Sequence, residues 1–226
     1  FGASFQPQTT HMDYEKNMLD TTIIRNVFNW APRIHARWKI NQSSQLNFRY
    51  NGRMSQPSMT NLLEVMDNSN PQNVSLGNAG LESSWTNSVN ADYNAYKPER
   101  QMGWAFNASY STTDRSVSTA TIYDATTGNR YTRPMNIDGN WNTSAFMMFN
   151  TALDTAKHFS IHITNWMSYS NNVGYISSAI NGIQTPETVE DMQALFKNAY
   201  DRGLLDKSTT KTLSISPHLR ATYRTE

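Results

Sequence analysis

From Ile24 to Ile40 the chain keeps a period of two. Even positions carry Ile24, Phe28, Trp30, Pro32, Ile34, Ala36, Trp38 and Ile40, and odd positions carry Arg25, Asn29, Arg33, His35, Arg37 and Lys39. In an extended strand that period puts the two classes on opposite faces. Strands of soluble proteins usually run about 5–6 residues, and this segment is roughly three times as long. One apolar face of that length calls for an apolar medium to cover it, which points to a strand that crosses a membrane.

The same alternation recurs along the chain and predicts eight strands near 1–9, 24–40, 45–55, 84–96, 101–111, 134–153, 158–170 and 211–224, each antiparallel to its sequence neighbours. In the strand over 134–153, Phe146 and Met148 interrupt the polar face. Short connections at Asn41 to Ser44, Lys97 to Arg100 and Asp154 to Lys157 contrast with long ones near 11–22, 56–83, 112–132 and 171–209. Tight turns at one end and long loops at the other describe an up-and-down transmembrane barrel, and both chain ends fall on the short-turn side. Within the last long loop, Pro186 followed by Val189, Met192, Leu195, Phe196 and Ala199 predicts one short helix, ended by Gly203. The expected fold is all-β, with about eight antiparallel strands.

Aromatic placement supports the membrane reading over a soluble sandwich. Phe28 and Trp38 lie on one face, and their separation corresponds to about 25 Å along a barrel axis at ~40° tilt, the height of the apolar band between aromatic girdles. Trp85 with Tyr93, and Trp141 with Phe149, are spaced similarly, and Trp104 belongs to the same apolar set. These seven are the candidate lipid-interface aromatics. The mean hydropathy of −0.64 and the lack of a long apolar run exclude a transmembrane helix, but not a barrel, whose strands average out as hydrophilic.

Of the 226 residues, 16% are charged and the net charge is +1, which argues against nucleic acid as a partner. Cysteine is absent, so thiolate metal sites, cysteine nucleophiles and disulfides are excluded. Histidines at 158 and 162 share a strand face, yet four residues of strand span about 13 Å, too far for one ion. Asp67-Asn68-Ser69-Asn70 lacks the glycine and distal glutamate of a calcium loop. No metal, no cofactor and no catalytic set is expected. One feature stands out: Arg25, Arg33, His35, Arg37, Lys39, Arg49 and Arg53 gather on the polar face of a single hairpin. Inside a barrel they form either a solvated wall or a basic stripe that pairs with internal carboxylates or guides an anionic ligand.

The stretch Asn51-Gly52-Arg53-Met54-Ser55-Gln56-Pro57-Ser58-Met59, then Asp67-Asn68-Ser69-Asn70-Pro71 and Leu76-Gly77-Asn78, resembles the outer membrane protein β-barrel family within the TonB-dependent receptors. Arg25 to Pro32 and Arg133 to Trp141 are similar to the same family, whereas Ala79-Gly80-Leu81-Glu82-Ser83 departs from its pattern. The resemblance implies the outer membrane of a Gram-negative bacterium, a larger barrel with an N-terminal plug, an energy-transducing TonB complex and an unidentified nutrient ligand. Since Phe1 opens directly into a strand pattern and Tyr223 to Glu226 close on one, residues 1–226 are expected to be a partial barrel domain. A complete small eight-stranded barrel and a soluble carbohydrate-binding β-sandwich are the alternatives.

Overall fold

The computed structural model describes residues 1–16, 19–154, 156 and 158–224. Its strands in chain order are β1 (Gly2–Lys16), β2 (Leu19–Asn41), β3 (Ser44–Ser55), β4 (Met66–Asp67), β5 (Asn73–Leu76), β6 (Ser84–Lys97), β7 (Met102–Asp114), β8 (Ser116–Asp124), β9 (Arg130–Ile137), β10 (Asn140–Ala152), β11 (Phe159–Tyr175), β12 (Ser177–Ile180) and β13 (Lys207–Tyr223). Two helices, α1 (Met59–Leu62) and α2 (Val189–Asp201), lie in the connections.

Eight strands form one sheet in the order β1-β2-β3-β6-β7-β10-β11-β13, and every neighbouring pair is antiparallel. This is the up-and-down wall that the alternation implies, and its register keeps the two residue classes apart. One row runs Ile34, Tyr50, Val89, Tyr110, Thr143, Tyr169 and Leu213. The adjacent row runs His35, Arg49, Asn90, Ser109, Ser144, Ser168 and Ser214. Directly paired residues share a face, so the wall has one apolar and one polar side. Among the described residues, β1 pairs only with β2 and β13 only with β11, and the sheet is open.

Three of the expected long loops depart from that expectation. Connections 56–83, 112–132 and 171–209 fold together into a second sheet, in the order β12-β8-β9-β5-β4, covered by α2. The buried apolar cluster of the molecule lies here, with Leu76, Ile122, Tyr131, Met192 and Phe196 at its centre. Among the described residues the wall itself contributes no such cluster, and its apolar side is exposed at Ile34, Trp38, Met147 and Leu213. The fourth connection, near 11–22, is not a loop either. β1 extends to Lys16, which pairs with Leu19 at the start of β2, and the positions between them lie outside the described residues.

The strand expected over 134–153 is two strands. β9 belongs to the outer sheet and β10 to the wall, with Asp138 and Gly139 between them. Opposite them, β7 gives way to β8 at Arg115. Thr113 pairs with Asn140 below the interruption and Ser116 with Ile137 above it, so two residues are skipped on each side and the parity is unchanged. Alternation therefore runs straight through the break and conceals it. Gly139 has φ 111 and Arg115 φ 54, left-handed conformations that bend the hairpin where it leaves the wall.

Helix α2 begins later than expected. Its first helical residue is Val189 rather than Pro186, and Thr188 caps it: the Thr188 hydroxyl accepts from the Asp191 N–H at 3.2 Å, and the Asp191 carboxylate accepts from the Thr188 N–H at 3.1 Å. This reciprocal box satisfies two N–H groups that the first turn leaves free. At the other end Gly203 has φ 66, its N–H bonds the Tyr200 carbonyl, and the Leu204 N–H bonds the Ala199 carbonyl. That paired closure needs a left-handed residue at the position of Gly203. Met192, Phe196 and Ala199 share the buried stripe of the helix.

The outer sheet continues the faces of the wall. β11 is unbroken from Phe159 to Tyr175, and its odd residues pass from Ile161, Ile163, Met167 and Tyr169 on the apolar face to Val173 and Tyr175 in the outer core. α2 thus covers, beyond the wall, the continuation of the apolar side. The other side continues the polar parity, with Thr121 and Thr132 paired across β8 and β9.

Candidate functional site on the polar face of the wall

The seven basic residues proposed from sequence share the polar face, and their side chains have different surroundings. Arg49 reaches across to β6, where its Nη2 lies 2.6 Å from Asp92 Oδ2, and Asn107 of β7 donates to the same carboxylate. Arg37 Nε donates to Asn47 Oδ1 at 3.1 Å. Arg25, near the outer end of β2, donates to the Leu81 carbonyl at 3.2 Å, and its Nη1 is buried without a partner. His35 stands opposite Arg49 in register, and Lys39 opposite Gln45 near the short turn. The side chains of Arg33 and Arg53 make no hydrogen bond and no ion pair among the described residues, and both line a cleft of about 510 Å³ between β1, β2 and the end of β3.

Carboxamides build that cleft. Asn29 Nδ2 donates to Gln8 Oε1 at 3.1 Å, and Gln56 Nε2 donates to Gln8 Oε1 at 3.3 Å and to Asn29 Oδ1 at 3.4 Å. Gln6 stands opposite Asn29 in register and Ser4 opposite Ala31, so β1 supplies one side and β2 the other. Sequence reasoning placed Gln6 and Asn29 on the polar side without assigning them a role, because nothing in period two says which polar residues meet. It also passed over Trp166, which stands opposite Phe146 on the polar face with the rings 6.2 Å apart.

On the apolar face the candidate aromatics fall into two bands. The upper band contains Trp85, stacked on Trp30 at 5.0 Å, and Trp141, which meets Tyr110 at 6.2 Å and Tyr169 at 5.2 Å. Trp85 Nε1 and the Tyr50 hydroxyl both donate to Asn87 Oδ1, at 2.9 and 2.8 Å. The lower band contains Trp38, which shares a row with Tyr93, and Trp104, which packs against Phe149 at 5.9 Å. Phe28 lies on the same face two residues from Trp30, stacked on Phe5 at 5.8 Å. Trp30 to Trp38, Trp85 to Tyr93 and Trp141 to Phe149 therefore share one spacing, about 20 Å along the axis of a barrel tilted by ~40°.

The titratable groups of the outer unit hold structure together. Asp124, buried at 1% exposure, accepts from the Thr127 hydroxyl at 2.6 Å and the Thr126 N–H at 2.9 Å, and these bonds hold its carboxyl below the usual range. Arg133 reaches Asn78 Oδ1 at 3.2 Å and Glu64 Oε1 at 3.5 Å. Burial depresses its pKa, and Glu64 offsets this only in part. His158 faces Asp154 at 3.6 Å, and His162 stands in a row with Asn150 and Arg220. Among the described residues no group of three or more histidine and carboxylate side chains could hold a metal ion, and no helix is long and apolar enough to cross a membrane.

An up-and-down antiparallel wall with one polar face, one apolar face and two aromatic bands defines a transmembrane β-barrel protein. The sequence model of the outer membrane protein beta-barrel family matches residues 8–225, and the chain belongs to that family. No curated protein and no solved structure matches it. Its place is the outer membrane of a Gram-negative bacterium, and its environment there is lipid.

Proposed function

We propose that the chain is the barrel portion of a TonB-dependent receptor that takes up a nutrient. In this reading the apolar face with its two aromatic bands meets lipid, and the polar face lines the lumen. The outer sheet with α2 stands at the extracellular mouth. A plug inside the barrel and an energy-transducing complex in the inner membrane complete the machine, and the chain itself performs no catalysis. The observation that supports a larger barrel is the open sheet, in which, among the described residues, β1 and β13 each have one neighbour although eight strands are already aligned.

A complete eight-stranded barrel is the second reading, favoured by the even strand count and by the uniform antiparallel order, which would let β1 pair with β13. The two differ in one contact. The chain has no native cysteine, so Ser4→Cys can be combined in turn with Ser216→Cys, His218→Cys, Arg220→Cys and Thr222→Cys, the polar-face positions of β13 that the stagger of a closed barrel brings beside it, in the protein inserted in outer membranes. A receptor-sized barrel leaves all four pairs uncrosslinked under oxidation, whereas a closed eight-stranded barrel joins one of them.

A further inference from the structure

The polar-face cleft between β1, β2 and β3 contains more donors than acceptors. Each guanidinium of Arg33 and Arg53 offers five N–H donors and no acceptor, and neither is used within the described chain. The carboxamide floor is already fixed, since Gln8 Oε1 accepts twice and Asn29 Oδ1 once, all from within the trio. Much of what it leaves to a visitor is N–H. Among the described residues no aspartate or glutamate lines the cleft. Elsewhere on the β2–β3 hairpin Arg49 finds an acceptor in Asp92 and Arg37 in Asn47, whereas the Arg220 side chain on the edge strand β13 has none among the described residues.

Placement adds to this. Arg33 pairs with Asn51, and Arg53 lies two residues further along β3 on the same face, the diagonal position about 7–8 Å away across a strand pair. Two forked cations at that separation suit a small charged molecule better than a single ion. Ser88 and Thr86 lie in the same two rows on β6, just inside the rung where Trp30 stacks on Trp85. The cleft therefore sits in the outer third of the wall, below the outer sheet, where a solute entering from outside first meets the polar face.

We propose that Arg33 and Arg53 form a subsite for a small soluble carboxylate that also carries hydroxyl groups, a sugar-acid type of ligand. The guanidinium pair takes the carboxylate through charge-assisted hydrogen bonds, and Gln6, Gln8, Asn29 and Gln56 take the hydroxyls. The inference rests on the receptor reading, in which the polar face lines the lumen.

The test uses the full-length protein extracted from outer membranes in detergent, with gluconate as probe and sorbitol as its uncharged counterpart, by calorimetry at low ionic strength. Retarded migration of the unheated protein on a gel relative to the boiled sample, or its absence, reports the barrel on the same preparation. An unfolded or non-membrane protein overturns the receptor reading and this proposal with it. With the barrel folded, gluconate binds at least about ten-fold more tightly than sorbitol, and Arg33→Gln and Arg53→Gln each weaken it by about ten-fold. Lys39→Gln, on the same face outside the cleft, leaves the affinity within about two-fold. Equal binding of gluconate and sorbitol, or indifference to both arginine substitutions, overturns the proposal. So does a ligand-free barrel that melts earlier with both arginines replaced while gluconate gives no heat, since an acid within the protein would then be their partner.

Discussion

The backbone N–H of Arg115 donates to the Asp138 carboxylate at 2.6 Å, across the point where the wall hairpin turns into the outer sheet. Arg115 is held in a left-handed conformation there. Its carbonyl accepts from Asn136 Nδ2 at 2.8 Å, and its guanidinium lies 2.8 Å from Glu82. Asn136 also bonds both the N–H and the carbonyl of Glu82. Four residues from three segments therefore fix one bend and tie the loop before β6 to it.

Replacing Asp138 with alanine removes the acceptor that faces the strained residue. Since the carboxylate is exposed, the expected loss is modest, about 1 kcal/mol. Hydrogen exchange reads it locally: amides of β8 and β9 lose protection, while those of β7 and β10 keep theirs. Equal loss in all four strands would contradict a hinge confined to the junction.

Phe196 lies in the core of the outer unit at 1% exposure. Phe196→Ala should cost about 3–5 kcal/mol through the cavity it leaves. Because that core lies beyond the membrane-crossing part of the wall, the variant still inserts and still migrates as a folded barrel before boiling, but α2 and the outer strands become sensitive to protease. Loss of barrel assembly would show that the outer unit is needed for the wall to form.

Acid should loosen the outer unit. Asp124 is held below its ordinary value of 3.8, first by the Thr127 hydroxyl and then by the Thr126 N–H. A carboxyl depressed by folding adds stability that is fully present above the unfolded value and is lost as pH falls through the folded one. Asp191, depressed by Thr188, has the same sign. Protection of the β8–β9 tip and of α2 therefore falls below about pH 4, and Asp124→Asn flattens that dependence at the β8–β9 tip while lowering stability at neutral pH.

Two neighbours on β2 test the assignment of the faces. Ile34 lies on the apolar side opposite Tyr50, and His35 on the polar side opposite Arg49. If the apolar side meets lipid, Ile34→Arg costs roughly 2–4 kcal/mol near the bilayer midplane, whereas His35→Arg joins a wall that already carries arginines. Folding free energy in lipid and the yield of heat-modifiable barrel should both fall for the first and not for the second. Equal tolerance would contradict the lipid and lumen assignment.

All eight wall strands, their antiparallel order and the division of residues between two faces follow from sequence alone, because period two is a local property that the register must respect wherever one face is apolar. The short turns at Asn41 to Ser44 and Lys97 to Arg100 and the helix α2 were legible for the same reason, each carrying its own turn residues or helical spacing, while the turn expected at Asp154 to Lys157 lies partly outside the described residues. The outer sheet was not. Three of its strands, β4, β5 and β12, have four residues or fewer, and two of its pairings, β5 with β9 and β12 with β8, are parallel contacts between distant segments. No local pattern encodes such a contact. Asp138-Gly139 was the one available sign that the long strand breaks, and unchanged parity on both sides hid it.

The candidate site divides in the same way. Sequence determined that seven basic residues share a polar face, since that needs only their positions along two strands. Tertiary structure decided which of them remain available. Arg49 meets Asp92 because β6 pairs with β3, and Arg25 is covered because Leu81 folds back over it. Arg33 and Arg53 stay open beside Gln8, Asn29 and Gln56, brought together from β1, β2 and the segment after β3. Alternation assigns a side chain to a face, but only the pairing of strands and the folding of the connections between them assigns it a partner.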